Sequence, residues 1–309
     1  MEGRKVKGIW VLIRILPVIS WSFGSVFLGL GVAVNQVGWP NVNKLDITLV
    51  IISTVLLQGL LAHSFNDITD WETGTDSNSP GILSGGSGVI PGELLDKRDL
   101  TIIARVSIIL VLAIALYFVI TIGFEVLIFL FVGLWSAITY SRSPFKLAYR
   151  PWLGEWGCAW PAMVACTVGT SFIISNGRWF LESVLLGMLH ATFCIIWLMM
   201  HHIPDIDADL NATPPKWTTV AYYREKDGWS GVNLVIKKYL IIGLFMALIG
   251  GFYLRRTELI IIPGLLFGAV YLQLRRTDFE QVESVTRTEL LTIGLTVVNA
   301  CGLSFLLLS

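Results

Sequence analysis

Charge is what this chain has least of. Only 14% of its 309 residues are Asp, Glu, Lys or Arg, where a water-soluble chain carries roughly 25%. The 22 basic and 22 acidic groups cancel to a formal net charge of zero, so nothing attracts a polyanion and no nucleic-acid partner is expected. Cysteine is scarce too: four in the whole sequence cannot form a disulfide framework, which excludes a small stapled secreted fold. Histidine is equally sparse, and the adjacent pair His201-His202 has no further Cys or His at zinc spacing. What the chain does have is apolar surface, at 54% hydrophobic residues. That balance reads as a multi-pass integral membrane protein.

A bilayer core takes about 20 mostly apolar residues per helix. Such runs fall at 9–34, 46–65, 100–120, 122–140, 154–175, 180–202, 234–254, 258–274 and 288–308, so nine spans are expected. The slightest separation is at Thr121-Ile122-Gly123. The first run is longer than a signal-peptide core and lacks a small-residue cleavage site after it, so it counts as a span. Lysine and arginine concentrate on one side of this layout, and short basic loops stay in the cytoplasm. With the N-terminus inside, the inner segments hold Arg4, Lys5, Lys7, Lys97, Arg98, Arg142, Lys146, Arg150, Lys216, Arg224, Lys226, Lys237, Lys238, Arg275, Arg276 and Arg287. The outer segments hold only Lys44, Arg178, Arg255 and Arg256. The expectation is a cell-membrane protein with its N-terminus cytoplasmic and its C-terminus outside.

Carboxylates at membrane helix ends cost several kcal/mol unless they are paired or bind metal, so acid clusters there suggest function. One runs from Asn66 to Asp76 (NDITDWETGTD), at the inner end of the second span. The other is Asp205-Ile206-Asp207-Ala208-Asp209, at the inner end of the sixth. On continued helices Asn66 and Asp70 share a face, as do Asp205 and Asp209, each pair at i,i+4. Gly74 ends the first helix and lets Asp76 turn back. Both clusters reach the same membrane surface, and each is followed by a basic loop, over 66–99 and 203–233. Opposed carboxylates of this kind suit Mg²⁺ shared with a diphosphate. Glu72, Glu93, Asp96 and Asp207 read instead as solvated loop charges.

These residues resemble a known family. Asn66-Asp67-x-x-Asp70-x-x-x-Gly74-x-Asp76 followed by Asp205-x-x-x-Asp209 is similar to the UbiA superfamily of intramembrane prenyltransferases, and Gly74 before Asp76 is closest to its menaquinone-branch, naphthoate-prenylating members. The likeness extends to Arg14-Ile15-Leu16-Pro17, to Ser84-Gly85-Gly86-Ser87-Gly88, to Tyr140-Ser141-Arg142-Ser143-Pro144-Phe145-Lys146 and to Lys216-Trp217-Thr218. Where menaquinone-branch members carry Asn-Asn-x-Arg, this chain has His201-His202-Ile203-Pro204. The Ile-Pro-Asp pattern is more like that of members acting on other lipids, carotenoids among them.

The resemblance implies an all-α bundle of nine transmembrane helices around a central apolar cavity, one domain over 1–309. It implies transfer of a polyprenyl group from a polyprenyl diphosphate to a lipophilic acceptor, an aromatic quinone precursor first. By the same likeness Asn66, Asp67, Asp70 and Asp76 hold one Mg²⁺, and Asp205 and Asp209 hold the other. Asn66, Arg14, Lys97, Arg142, Lys146 and Lys216 are the diphosphate-binding candidates. Tyr140 would face the allylic cation, with Phe65, Trp71 and Trp217 as weaker candidates. A non-aromatic acceptor, such as a glycerol lipid phosphate or a carotenoid, is the alternative, and a cation transporter a more distant one. The Ser84–Gly88 stretch lacks the Gly-Lys-Ser/Thr ending of a phosphate loop and reads as a flexible lid.

Overall fold

Proline decides where the first membrane helix begins. Pro17 has no N–H, and in a continuous helix its ring would collide with the carbonyl of Ile13. In the computed structural model, which describes residues 2–308, the chain breaks just there: Arg14 adopts the left-handed region with φ 49°. Helix α1 (Glu2–Ile13) stands apart from α2 (Ile15–Val37). The single span expected over 9–34 is corrected accordingly, and α1 leaves Trp10 exposed.

The remaining helices are α3 (Lys44–Thr73), α4 (Lys97–Thr121), α5 (Val126–Thr139), α6 (Glu155–Ile174), α7 (Leu181–His202), α8 (Ile206–Asn211), α9 (Thr219–Leu254), α10 (Glu258–Leu274) and α11 (Val282–Leu308). No strand occurs among the described residues. Helices α2, α3, α4, α6, α7, α9 and α11 are long and apolar enough to cross a bilayer, while α5 and α10 are shorter apolar helices. Local chemistry sets several of the boundaries. Asn43 caps α3 by accepting from the Leu45 N–H at 3.0 Å, and Asp96 with Asp99 forms a reciprocal capping box on α4. Thr218 caps α9. Gly123, at φ 147°, lies in the turn between α4 and α5. The expected 234–254 span is the second part of the longer α9, which is broken at Gly228.

The outer surface is apolar. Phe252 is 86% exposed and Ile120 76%, an arrangement that suits lipid and not water. Inside, α7 is hydrophobic around its whole circumference because α2, α6, α9 and α11 all pack on it. Its Phe193 stacks on Phe267 of α10 with centroids 4.0 Å apart. Helices α3, α4 and α5 form a second wall. Between the two lies a cavity of about 280 Å³ whose lining comes from α2 to α7 and from the loops at their acid-bearing ends; α9, α10 and α11 contribute nothing to it.

The bundle depends on small residues where helices cross, as membrane helices do when no hydrophobic drive separates lipid from core. A Cβ on Gly29 of α2 would lie 2.4 Å from the Thr167 carbonyl oxygen and 2.7 Å from the Thr170 Cβ on α6. Gly29→Leu is therefore expected to destabilise the protein by about 1–3 kcal/mol, seen as a lower thermal midpoint in detergent. Gly268→Leu, where a Cβ meets nothing within 4 Å, should leave the midpoint unchanged.

Candidate active site

The last turns of α3 carry Asp67 and Asp70 into the bundle, and both are buried. Gly74 then takes φ 88° and ends the helix, a conformation that side chains other than glycine resist. The following turn, Thr75–Asn78, brings Asp76 back to the cavity lining beside Asp70. On the other side α7 stops at His202, before Pro204, and Asp205 opens α8, which holds Asp209 at 0% exposure. The two acid clusters, far apart in sequence, meet at one end of the cavity.

Lys216 joins them. Its Nζ donates to Asp70 Oδ2 at 2.7 Å and stands 3.6 Å from Asp209 Oδ1, while its backbone N–H donates to the Asp209 carbonyl at 2.8 Å. Burial pulls the Lys216 ammonium toward neutrality, but the carboxylates of Asp209 and Asp70 more than reverse this and hold it well above its usual range. Asp70 also accepts from Asn66 Nδ2 at 3.1 Å and from the Tyr149 hydroxyl at 2.9 Å. Burial, followed by the Asp70 charge, keeps that hydroxyl protonated well above the ordinary phenol range. Burial together with Asp70 and Asp67 pushes Asp76 up to about 8.

The Ser84–Gly88 stretch is not the free lid its composition suggests. Ser79 and Ser84 both donate to Asp205 Oδ1, and Ser87 donates to Asp67 through its hydroxyl and, at 3.3 Å, its backbone N–H. The loop thus ties one acid cluster to the other. Gly86 has φ 76°, and a Cβ there would lie 2.2 Å from Asp76 Oδ2, so only glycine lets the backbone pass the carboxylate.

Arg14, Asn66, Asp70, Asp76, Tyr140, Asp205 and Lys216 all line the cavity, with Asp67 and Asp209 buried next to them. Other candidates lie elsewhere. Lys97 is exposed and pairs with Glu72 at 3.2 Å, because Asp96 caps α4 and starts the helix outside the cavity. Arg142 lies over the Phe65 ring at 5.2 Å, and Lys146 lies 5.0 Å from the Tyr149 centroid. Neither is among the residues that line the cavity. Asn66 turns its amide nitrogen to Asp70 while its oxygen accepts from Ser141 at 3.1 Å, so in this arrangement it orients a carboxylate and keeps one oxygen lone pair. Phe65, Trp71 and Trp217 are also off the lining. Aromatic side chains on the lining include Tyr140, Phe118, Phe129 and the edge-to-face pair Trp21–Trp197, with centroids 5.2 Å apart.

The donor set fits a hard dication that takes part of its shell from a substrate. Both carboxylate oxygens of Asp209 are buried without a hydrogen-bond partner; the Lys216 ammonium at 3.6 Å answers Oδ1 in part, and Oδ2 is left to a further cation. Among the described residues no three His, Cys, Asp or Glu side chains form a ready-made cage. Mg²⁺ needs none, since it is commonly held by one or two carboxylates plus phosphate oxygens.

The model of the UbiA prenyltransferase family matches residues 22–295. Among solved structures, the fold is similar to that of a UbiA homolog from Archaeoglobus fulgidus bound to GPP and Mg²⁺, with a TM-score of 0.68 at 14% identity over 96% of this chain and 99% of that one. A UbiA homolog from Aeropyrum pernix K1 gives 0.61 at 13% identity over 91% and 95%. A digeranylgeranylglyceryl phosphate synthase gives 0.61 at 14% over 98% and 100%. No curated protein sequence matches the chain.

Proposed function

Because this chain belongs to the UbiA prenyltransferase family, we propose that it moves a polyprenyl group from a polyprenyl diphosphate to a lipophilic acceptor, with Mg²⁺ as cofactor, at the acid-rimmed end of its cavity. The observation that carries this reading is the meeting of Asp67–Asp76 and Asp205–Asp209 around Lys216 at the opening of one apolar cavity. A transporter path would place acids along the bilayer normal, whereas these share one end.

Asp67, Asp70 and Asp76 would hold Mg²⁺ on one side and Asp205 and Asp209 on the other, supplying the positive charge that makes diphosphate a leaving group. Asn66 and Tyr149 orient Asp70 for that task, and the serines of the 79–88 loop orient Asp205 and Asp67. Lys216 and Arg14 are the cations poised to meet diphosphate oxygens directly. The prenyl tail lies along the apolar lining, where Tyr140, Trp21 and Trp197 offer electron-rich faces to the allylic carbon, each worth about 0.5–2 kcal/mol. In this reading the whole chain, 1–309, is one transmembrane domain, α5 and α10 cross with the other spans, and the site opens to the cytoplasm beside the N-terminus.

The acceptor we propose is an aromatic quinone precursor, in line with Gly74 before Asp76. The His201-His202-Ile203-Pro204 stretch supports a second reading, a glycerol lipid phosphate or a carotenoid. Purified protein given geranyl diphosphate and each acceptor class should yield one prenylated product by mass spectrometry. EDTA should stop the reaction and added Mg²⁺ restore it. Flux of a divalent cation into liposomes with no diphosphate release under any condition would refute the assignment.

A further inference from the structure

Glu289 is the one carboxylate in the body of α11 and is 1% exposed. A carboxylate held there is costly unless a partner justifies it. Its Oε1 lies 2.8 Å from His201 Nδ1, and its Oε2 has no hydrogen-bond partner. The other ring nitrogen, His201 Nε2, is 3.1 Å from Arg14 Nη2. A guanidinium only donates, so Nε2 must be the acceptor and the ring proton sits on Nδ1, directed at Glu289. Three separate elements thus fix one tautomer: the break before α2, the end of α7 and the middle of α11. His201 and Arg14 line the same cavity as the acids.

A carboxylate that holds a histidine by Nδ1, with Nε2 on a residue that lines a substrate cavity and met there only by the movable Arg14 side chain, is the arrangement of a general base in waiting. We infer that His201 is the base that takes the acceptor's hydroxyl proton, oriented by Glu289 and masked by Arg14 until a diphosphate draws the guanidinium away. The inference rests on the prenyl-transfer reading above and adds a substrate class to it: the acceptor carries an ionisable O–H next to its nucleophilic atom. In the step, the acceptor's O–H bond breaks and its proton goes to Nε2. The freed pair makes a bond to prenyl C1, at that oxygen or at a carbon conjugated with it, where later tautomerisation restores the hydroxyl. The C1–O bond breaks, and its pair leaves on the diphosphate. His201 then holds a proton on both nitrogens opposite the Glu289 carboxylate. Since Arg14 covers Nε2, the donor diphosphate binds before the base is available.

The test uses the full-length protein in detergent with geranyl diphosphate and Mg²⁺. It is assayed without acceptor for slow diphosphate release to water, then with 1,4-dihydroxy-2-naphthoate and, separately, with geranylgeranylglyceryl phosphate. His201→Ala should lower transfer about 10²–10⁴-fold more than it changes acceptor-free release, the range a positioned base contributes. Added imidazole should recover transfer at least in part, which a merely structural histidine would not allow. Glu289→Gln should lose transfer by roughly 10–100-fold, as partners that orient a functional histidine do, again beyond any change in release. Transfer by His201→Ala close to wild type, or an equal loss of release and transfer without imidazole rescue, overturns the inference. So does a wild-type protein that releases diphosphate yet prenylates neither acceptor, and in that case the donor chemistry still stands. Absence of any diphosphate release from wild type would instead refute the prenyl-transfer reading itself.

Discussion

Asp205→Asn is expected to lower Mg²⁺-dependent turnover by about 10³-fold or more while leaving the protein folded. The side chain keeps its shape, and the Ser79 and Ser84 hydroxyls still find an oxygen to donate to. What disappears is a negative charge on the cavity lining that Asp205 shares with Asp70 and Asp76. One preorganised group that stabilises developing charge is worth about 10²–10³ in rate, and a carboxylate that also holds a metal, as proposed for Asp205, should exceed that. Asp207→Asn is the matched control. It sits two residues along on the same short helix but is exposed, so turnover should stay within about twofold, in keeping with solvent-screened surface charge. Diphosphate release from geranyl diphosphate reports turnover, and a thermal melt reports folding. Near wild-type release from the Asp205 variant would mean that the second acid cluster does not touch the reaction. Equal losses from both variants would mean that α8 as a whole, not the carboxylate, is what matters.

How much of this was written in the sequence depends on the distance between partners. The acid clusters were legible because i,i+4 spacing on a helix is local, and because two spans ending on one surface must bring their ends together. Gly74 was legible for the same reason: a glycine after the last helical residue is a stop signal that needs no tertiary knowledge. Even the break at Arg14 was there to be read, since Pro17 forbids a helix through Ile13, though a count of apolar residues passes straight over it. The position of Lys97 was not legible, because basic residues near an acid cluster look alike in sequence, and only the cap at Asp96 puts that lysine on the outside. Ser79, Ser84 and Ser87 were hidden by composition, since a Gly/Ser-rich stretch reads as slack until its hydroxyls are seen on Asp205 and Asp67. Tyr149 and Glu289 find their partners 79 and 88 residues away. No spacing rule reaches that far. Nor does periodicity distinguish the helices that line the cavity from α9, α10 and α11, which do not.

Replacing Lys216 with methionine should produce two effects that no other single change combines. The first is catalytic. The Lys216 ammonium is the cation on the 203–218 loop that lies between both acid clusters, and its loss should cut diphosphate release by about 10²–10³-fold, the scale of one lost charge-stabilising donor. The second is a stability effect whose size depends on Mg²⁺. Methionine keeps the buried stem but leaves Asp70 without its 2.7 Å partner and Asp209 without the ammonium at 3.6 Å. Breaking a buried pair by removing one member costs about 3–5 kcal/mol at most, and less where a freed carboxylate takes up a proton. The Lys216→Met protein should therefore melt well below wild type in EDTA. Saturating Mg²⁺ with inorganic diphosphate should recover most of that gap, because a ligand that binds only the folded state stabilises it by mass action. A stem that mattered only for packing would give no gap in either condition. A gap that Mg²⁺ and diphosphate leave unchanged would mean that the carboxylates around Lys216 are not where the metal and the diphosphate go, and the proposed donor site would have to move.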